Sequence, residues 1–414
     1  MARTLLPNGL EVLSERIPGV RSAAVGVWVR QGAAHEDEAD TGASHLLEHL
    51  VFKGTAKRSA PEIAIALEGL GGSLDAYTSR EHTSYQARVL DEHLPEALDV
   101  LADLVLGPLL REEDLDLERQ VVLEEIAQVE DTPDDLVFEL HSERLWRGHP
   151  YGRSILGTKA SVSAMEAERL RDLHEQRYVG KNLIVAAAGN VEHGDFVERV
   201  QGLFGGVPAG RRFEPVAEPG GTDSGTALVS RDSAQTHLVF GTDVPGHAHP
   251  DRYALTLISA AMGAGMSSRL FQKVREELAL CYSVYTYQSF YSVSGVSGVY
   301  VGTRPATADR AGAAVREELA RVAAEGLPAD ELEQIKRQVK GQVMLALEST
   351  GARLYRLASF ALHSEPFLSL DGLLAKIDGV TVEDVRRVAE RYYEPGRQLE
   401  LRLGQLGASH GVQA

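Results

Sequence analysis

The segment Thr41–Lys53 reads TGASHLLEHLVFK and predicts a helix with two histidines and a glutamate on one face. His45, Glu48 and His49 stand at positions i, i+3 and i+4, which lie on the same side of an α-helix. The neighbouring side chains are apolar, so we expect the helix to be buried and its polar residues to need partners. Two histidines one turn apart can bind one Zn²⁺, and a carboxylate beside them can act as a general base. The order His-x-x-Glu-His therefore indicates an inverted zinc motif. The alternative is a set of satisfied polar residues in the core.

Length and composition limit the classes of protein to consider. The 414 residues exceed the size of about 250–300 residues at which single cores stop growing, so two or more domains are expected. The hydrophobic content of 43% and charged content of 25% are typical of globular proteins. The net charge of −18 disfavours nucleic acid and anionic membranes as partners. The single cysteine, Cys281, excludes an intrachain disulfide and fits a reducing compartment.

Neither a signal peptide nor a membrane span is apparent from the sequence. The N-terminal residues lack a basic flank followed by a long apolar run, and the turn Pro7-Asn8-Gly9 interrupts them. No window approaches the roughly 18 consecutive apolar residues of a spanning helix. We expect a cytoplasmic protein, although an exported enzyme without its leader would have the same sequence.

The order of predicted elements repeats once along the chain. A strand pair precedes the Thr41–Lys53 helix, and a second strand pair at 73–79 and 83–90 follows it. Helices are then expected at 92–106, 112–130, 133–145 and 162–177, before a strand at 182–188 and a helix at 195–203. A Gly/Pro-rich stretch, 205–225, marks a linker. After it, two strands, a helix at 251–262, a further helix at 269–278, two strands, three helices, a helix at 382–392 and a closing strand follow in a similar order.

This repetition predicts the fold class. Strand pairs beside groups of helices indicate an α+β protein of two tandem homologous domains, each with an antiparallel-rich sheet covered by helices. We assign residues 1–210 to a first domain that holds the metal and residues 222–414 to a duplicated domain. The second half has ALTLISAAM in place of the zinc motif, so only the first half is expected to bind metal.

A third zinc ligand must come from another element. The predicted helix 112–130 carries four candidate acids: Glu118, Glu124, Glu125 and Glu130. Glu118 and Glu125 are two turns apart and share a face with Val121, Val122 and Val129, whereas Glu124 is rotated about 100° away and is expected to be exposed. Acids on an apolar face need a partner, but most acids on such a helix are simply solvated. The pattern alone leaves both interpretations open.

With these residues in place, the chain resembles the pitrilysin/insulinase family of zinc peptidases, which includes mitochondrial processing peptidase and insulin-degrading enzyme. The resemblance rests on the zinc motif, on ERQVVLEEI around Glu125, on SLDAYTSREHTSY, and on GMSSRLFQKVREELALCYSV in the second half. It covers nearly the whole chain. Many members have asparagine where this chain has Asp75.

The resemblance implies roles for seven residues. It implies His45, His49 and Glu125 as ligands of one Zn²⁺, Glu48 as the catalytic base, and Glu118 as a residue that orients a ligand or shuttles a proton. It also implies that Arg275 and Tyr282 bind substrate and stabilise the developing oxyanion from the second half. The implied reaction is hydrolysis of peptide bonds in unfolded or short peptides inside a closed chamber. The strand at 73–79 offers such peptides a sheet edge.

Two other functions remain open at this stage. One is a catalytically silent structural or scaffold subunit of a heterodimeric processing peptidase, which the intact zinc motif disfavours. The other is a different zinc hydrolase. Relatives of this length pair with a second chain, so we expect a homodimer, or a heterodimer with a silent homologue.

Overall fold

The computed structural model describes residues 1–405, without the side chain of Leu67, and contains two mixed sheets covered by helices. The first sheet is formed by β1 Ala2–Leu5, β2 Glu11–Arg16, β3 Ser22–Val29, β4 Ser73–Thr78, β5 Thr83–Leu90 and β6 Leu183–Gly189. The second sheet is formed by β7 Gly225–Ser230, β8 Thr236–Pro245, β9 Cys281–Phe290, β10 Ser294–Thr303 and β11 Leu399–Gly404.

The two sheets have matching strand orders. The first runs β1-β2-β6-β3-β5-β4 and the second runs β7-β11-β8-β10-β9. In each sheet one pair is parallel, β2 with β6 and β7 with β11, and the other pairs are antiparallel. The predicted α+β class with antiparallel-rich sheets is therefore confirmed. Only β1 has no counterpart in the second sheet.

Fourteen α-helices occur within residues 1–405. They are α1 Ala43–Val51, α2 Ala60–Glu68, α3 Leu94–Leu106, α4 Glu112–Asp131, α5 Pro133–Leu145, α6 Lys159–Ala164, α7 Ala167–Arg177, α8 His193–Phe204, α9 Asp251–Gly263, α10 Ala308–Glu325, α11 Ala329–Ala346, α12 Thr350–Leu362, α13 Leu370–Asp378 and α14 Val382–Tyr392. A π-helical segment spans Phe271–Glu277. Short 3₁₀ turns lie at Ala33–His35, Glu38–Asp40, Asp91–His93, Pro150–Gly152, Gly180–Asn182, Pro305–Thr307 and Pro395–Arg397.

The described chain divides into two compact units built from interleaved segments. Unit 1 comprises Met1–Ile126, Arg153–Pro215 and Met344–Phe367. Unit 2 comprises Ala127–Gly152, Val216–Val343 and the chain from Leu368. The division into consecutive domains, 1–210 and 222–414, stays a prediction about the duplicated halves, and its last residues lie outside the described part.

Helix α12 packs on one face of the first sheet within unit 1. Its side chains Leu354, Leu357 and Ala358 form a buried cluster with residues of β2, β3 and β6, including Trp28. The guanidinium of Arg30 donates to the carbonyls of Ala361 and Leu362, both at 2.6 Å, and so binds the C-terminal end of the helix. The other face of this sheet packs on α1, α3 and α8. Because both faces are covered, every residue of β6 is buried, as its uninterrupted apolar sequence indicates.

Helix α5 occupies a corresponding position in unit 2, where it packs on β8 and β11. The buried His141 of α5 makes a hydrogen bond of 3.2 Å with the carbonyl of Leu399. In the order of elements α5 follows β4, β5, α3 and α4, just as α12 follows β9, β10, α10 and α11. Helix α5, from the first half of the chain, therefore belongs to unit 2 with the second sheet. Helix α12, from the second half, belongs to unit 1 with the first sheet.

Several predicted elements were wrong in detail. The helix predicted at 162–177 is two helices, α6 and α7, because Met165 is extended, buries its side chain and accepts a hydrogen bond of 2.8 Å from Arg119. The helix predicted at 269–278 is largely π-helical. The sequence analysis missed α13, a short helix capped by Ser369, and β1, a four-residue strand before the Pro7 turn.

No helix within residues 1–405 combines the length and the apolar character that a membrane crossing requires.

Candidate metal centre

Helix α1 presents its polar side chains on one face and packs the rest into the core. Leu46, Leu47, Leu50 and Val51 are buried, whereas His45, Glu48 and His49 are only half-buried. The helix begins after Gly42, whose φ of 93° lies in the left-handed region that favours glycine. A Cβ at Gly42 would come within 2.7 Å of the carbonyl oxygen of Leu156, so this close approach also requires glycine.

The carboxylate of Glu36 caps the N-terminus of α1. Its two oxygens accept hydrogen bonds from the backbone N–H groups of Gly42 at 2.8 Å and Ser44 at 2.6 Å. A negative charge at this end of a helix is favourable because the first N–H groups have no partner inside the helix. Burial outweighs these two bonds and raises the pKa of Glu36 to about 7. The start of the motif helix therefore depends on a buried acid.

Helix α4 brings Glu125 to the two histidines. The Nε2 atom of His45 lies 3.6 Å from Oε2 of Glu125, and Nε2 of His49 lies 3.8 Å from Oε1 of the same carboxylate. One ligand atom from each of the three residues lies within 4.8 Å of the other two. Within residues 1–405 this is the one group of three with such geometry. The structure thus brings together the three residues that the family resemblance implies.

The chemistry of these three side chains fits a zinc ion. Two imidazoles and one carboxylate are a donor set typical of catalytic zinc. The Oε2 atom of Glu125 is buried and has no hydrogen-bond partner among the described residues. Burial, followed by the neighbouring His49, lowers the pKa of His45 to about 4, so this imidazole is neutral near pH 7, as a metal ligand must be.

Glu48 lies between the two histidines along the helix and accepts a hydrogen bond from β4. The hydroxyl of Thr78 donates to Oε2 of Glu48 at 2.5 Å. Burial raises the pKa of Glu48, while the Thr78 hydrogen bond and His49 act in the opposite direction. A raised pKa suits a carboxylate that must both accept and release a proton.

Glu118, two turns before Glu125 on α4, is buried against α1. Its Oε2 atom lies 2.9 Å from Nδ1 of His49, and its Oε1 atom lies 2.5 Å from Nζ of Lys53. A carboxylate on Nδ1 leaves Nε2 of the same ring free to bind a metal. Glu124, by contrast, is exposed, as its rotation on the helix predicts.

Arg275 and Tyr282 lie together in unit 2. The guanidinium carbon of Arg275 is 5.2 Å from the ring centroid of Tyr282 and 4.6 Å from that of Phe271. Arg275 belongs to the π-helical segment, and Tyr282 is the second residue of β9 and is 76% exposed. Between them, Ala279 adopts a φ of 50°, which is rare for a residue with a side chain. The tyrosine hydroxyl is therefore presented to solvent beside a cation.

Sequence reasoning missed three residues around this centre and misplaced one. Thr78 carried a signal, because it alternates with Leu74 and Ala76 on one face of β4. Lys53 also carried one, since it follows His49 by one helical turn. Glu36 lies in an irregular acidic loop, where no periodicity distinguishes it. Val121, predicted to share the inward face of α4, is instead 44% exposed.

Comparison with known proteins shows which family the chain is similar to. The profile of the insulinase family, peptidase family M16, matches residues 11–159, and the profile described as peptidase M16 inactive domain matches residues 164–339. An uncharacterized zinc protease of Streptomyces coelicolor is 42% identical over 398 residues, which cover 94% of this chain and 86% of the relative. The chain belongs to the insulinase family, peptidase family M16. The predicted family is thereby confirmed.

Other family M16 proteins match over nearly their full length. The uncharacterized zinc protease YmxG of Bacillus subtilis is 36% identical over 95% of this chain and 96% of its own. Two solved structures share the fold. One is a peptidase M16 inactive domain from Pseudomonas fluorescens, with a TM-score of 0.93, 20% identity and coverage of 99% of both chains. The other is a protease from Helicobacter pylori, with a TM-score of 0.88, 24% identity and coverage of 97% of this chain and 99% of that one.

Proposed function

We propose that this M16 protein is a zinc-dependent endopeptidase or oligopeptidase that hydrolyses unfolded or short peptides. The observation that carries the proposal is the convergence of His45, His49 and Glu125 within 4.8 Å, with Glu48 on the same face of α1. The names of its relatives, zinc proteases of bacteria, support the same reaction. One Zn²⁺ per chain follows from the single group of three ligands among the described residues.

The proposed chemistry assigns the proton transfers to Glu48. A zinc ion held by His45, His49 and Glu125 would supply Lewis acidity, which acidifies water and polarises a carbonyl. Glu48 takes the proton of the attacking water and passes it to the leaving amine. Thr78 fixes the carboxylate through the hydrogen bond of 2.5 Å, so that its other oxygen is available for this transfer. Glu118 holds the ring of His49 with Nε2 directed away from itself.

In this proposal unit 2 supplies Arg275 and Tyr282 as donors to the oxyanion that develops during attack. A phenol and a guanidinium are suitable for this, since both donate hydrogen bonds and the guanidinium also carries charge. The exposed Tyr282 ring stacked against Arg275 supports the assignment. Catalysis is then proposed to take place in a closed chamber.

The substrate is proposed to bind as an additional strand beside β4. This strand is the last in the first sheet and, within residues 1–405, pairs only with β5, so its outer backbone groups can bind an extended peptide. Pairing through the backbone depends little on sequence and requires an unfolded segment. Thr78 connects this edge directly to Glu48.

The proposed assembly is a homodimer, with a heterodimer containing a silent homologue as the alternative. A wholly silent structural subunit is the alternative function, and the intact ligand set and base argue against it. A third alternative, a zinc hydrolase of another substrate class, differs only in the bond cleaved.

The test is peptide cleavage by the purified chain. We expect hydrolysis of a panel of quenched-fluorescence peptides, loss of activity when zinc is removed by a chelator, and recovery when zinc is restored. Glu48→Gln should retain one zinc per chain and lose activity by a factor on the order of 10² or more. Zinc binding without cleavage of any peptide by wild type would favour the silent subunit or another hydrolase. Activity that appears only after a second protein is added would rule out the homodimer.

A further inference from the structure

We infer that Lys53 is a positioning residue of the metal centre, which acts on zinc binding through Glu118. The inference rests on the proposed zinc site and adds to it a cation that the family resemblance does not assign. It concerns a single chain of contacts, Lys53 to Glu118 to His49, all within unit 1.

The Glu118 carboxylate is held on both sides. Its Oε1 atom lies 2.5 Å from the ammonium of Lys53, and its Oε2 atom lies 2.9 Å from Nδ1 of His49. The side chain of Glu118 is only 7% exposed, whereas that of Lys53 is 36% exposed. Because each oxygen has a different partner, the plane and rotation of the carboxylate are fixed. The Lys53 ammonium therefore helps to orient the His49 imidazole through the Glu118 carboxylate.

The backbone of Lys53 is itself anchored to α4. The guanidinium of Arg111 donates to the carbonyl of Lys53 at 3.2 Å and to the two carboxylate oxygens of Asp114 at 2.7 and 3.2 Å. Asp114 and Glu118 are one turn apart on α4, so both contacts connect the end of α1 to the same stretch of that helix. Lys53 is thus held at the start of α4 by two contacts, from its side chain to Glu118 and from its carbonyl to Arg111.

Charge balance gives Lys53 a second effect. A bound dication would be surrounded by three carboxylates, Glu48, Glu118 and Glu125, which together exceed its charge by one. The ammonium of Lys53 brings this cluster to neutrality. Without it, the buried Glu118 would keep only its bond to His49, and an underpaired buried carboxylate is costly. The Glu118 carboxylate would then turn toward solvent and lose its hydrogen bond to the His49 imidazole.

Lys57 provides a matched control in the same loop. Its ammonium lies 4.0 Å from Asp103, and its side chain is 64% exposed. Replacing it with methionine removes the same charge from the chain and leaves the contacts of Glu118 in place. A general effect of net charge on zinc binding would appear equally in both methionine variants.

The experiment measures the zinc dissociation constant of the full-length chain by competition with a chromophoric chelator. We expect Lys53→Met to weaken zinc binding by about 10- to 100-fold, the range typical when a partner of a metal ligand is lost. Lys53→Arg should bind zinc within about threefold of wild type, because it restores the charge. Lys57→Met should match wild type. Thermal unfolding of each metal-free variant checks that it is folded.

A double-mutant cycle tests whether Lys53 acts through Glu118. Glu118→Gln alone should weaken zinc binding to a similar degree, and Lys53→Met added to it should have no further effect. Fully additive losses in the double variant would overturn the inference. So would a Lys53→Met variant that binds zinc as tightly as wild type, or a Lys53→Arg variant that binds it as weakly as Lys53→Met is expected to. Should Lys53→Met not fold, Lys53→Gln, which also removes the charge and keeps a polar side chain, is measured in its place, with the same expected loss. If wild type binds no zinc, or Glu125→Gln binds it equally well, the proposed metal centre itself is wrong.

Discussion

The hydroxyl of Thr78 lies 2.5 Å from Oε2 of Glu48 and joins the edge strand β4 to the motif helix α1. Replacing it by the isosteric valine removes the donor and keeps the shape of the side chain. A hydrogen bond to a charged group contributes about 1.5–3 kcal/mol, so Thr78→Val should lower kcat by roughly tenfold or more. Steady-state kinetics on a quenched peptide measures this, and zinc content should stay at the wild-type level.

Thr83→Val is the matched control for Thr78→Val. Thr83, on the adjacent strand β5, is the cross-strand partner of Thr78, and its hydroxyl donates at 2.9 Å to the carbonyl of Gln31 and not to Glu48. This variant should lose stability, measured by urea unfolding, by about 1–3 kcal/mol and keep its kcat. Equal kcat losses in the two variants would show that the Thr78 contact has no special role.

Zinc should stabilise the folded chain only when its three ligands are intact. At a zinc concentration about 1,000 times the dissociation constant, binding contributes about 4 kcal/mol, which raises Tm by roughly 5 °C for a chain of this length. We expect this increase for wild type and for Glu124→Gln, whose side chain is exposed on the same helix. Glu125→Gln should show little or none of it. Differential scanning calorimetry with and without zinc makes the comparison, and an equal increase in both variants would exclude Glu125 as a ligand.

The hydroxyl of Tyr282 should matter for turnover and not for metal. Tyr282→Phe retains the ring that stacks on Arg275 and removes one donor. Loss of one oxyanion donor lowers kcat by about 10²–10³-fold, so we expect a fall of that order at unchanged zinc content. Tyr285→Phe, which alters another exposed tyrosine of β9, should have near wild-type kinetics. A Tyr282→Phe enzyme as fast as wild type would remove this residue from the mechanism.

Glu36 should make stability depend on pH. Its pKa is raised by burial from an ordinary value near 4.5 to about 7, so the folded state binds the proton more tightly than the unfolded state. The associated stability is present below pH 4.5 and is lost as the pH rises through about 7. Its size is on the order of 3 kcal/mol, and it should be absent in Glu36→Gln.

Urea unfolding of wild type and Glu36→Gln between pH 5 and pH 8 isolates this dependence. The difference in the free energy of unfolding between the two proteins should shift in favour of the variant as the pH rises. A difference that is constant with pH would mean that Glu36 has an ordinary pKa. Glu38→Gln, in the same loop, serves as the control, because that side chain is exposed.

The sequence predicts which residues of the metal centre share one helix better than it predicts the contacts between different helices and strands. The i, i+3, i+4 spacing puts His45, Glu48 and His49 on one helix face whatever surrounds it, because helix geometry is local. The sequence pattern alone does not distinguish Glu125 from the other three candidate acids of α4, and only the family resemblance singles it out. Its contact with the histidines depends on how two helices pack, and single-sequence patterns carry no such information. The same limit applies to Thr78, since hydrogen bonding across elements leaves no periodic trace.

Predicted helix boundaries were wrong where a tertiary contact outweighed the local helix preference. Met165 interrupts a helical pattern because its carbonyl bonds with Arg119 and its side chain enters the core. The fold class was predicted, but neither the strand order nor the placement of α5 and α12 was. Helix α12 has a clear apolar stripe and α5 has almost none, and such local patterns do not indicate which sheet a helix covers, so the choice between sheets is made by packing.

The placement of α12 has a consequence for any division of the chain into two fragments. A break in the Gly/Pro-rich stretch near residue 215 looks harmless in the sequence, since it separates two similar halves. The N-terminal fragment would nevertheless lack the helix that covers Trp28 and receives Arg30, and the C-terminal fragment would lack α5. Each fragment would expose an apolar sheet face and would be prone to aggregate until its complement arrived. The two fragments are thus expected to depend on each other during folding, and in the intact chain the first sheet stays uncovered on one face until α12 has been synthesised.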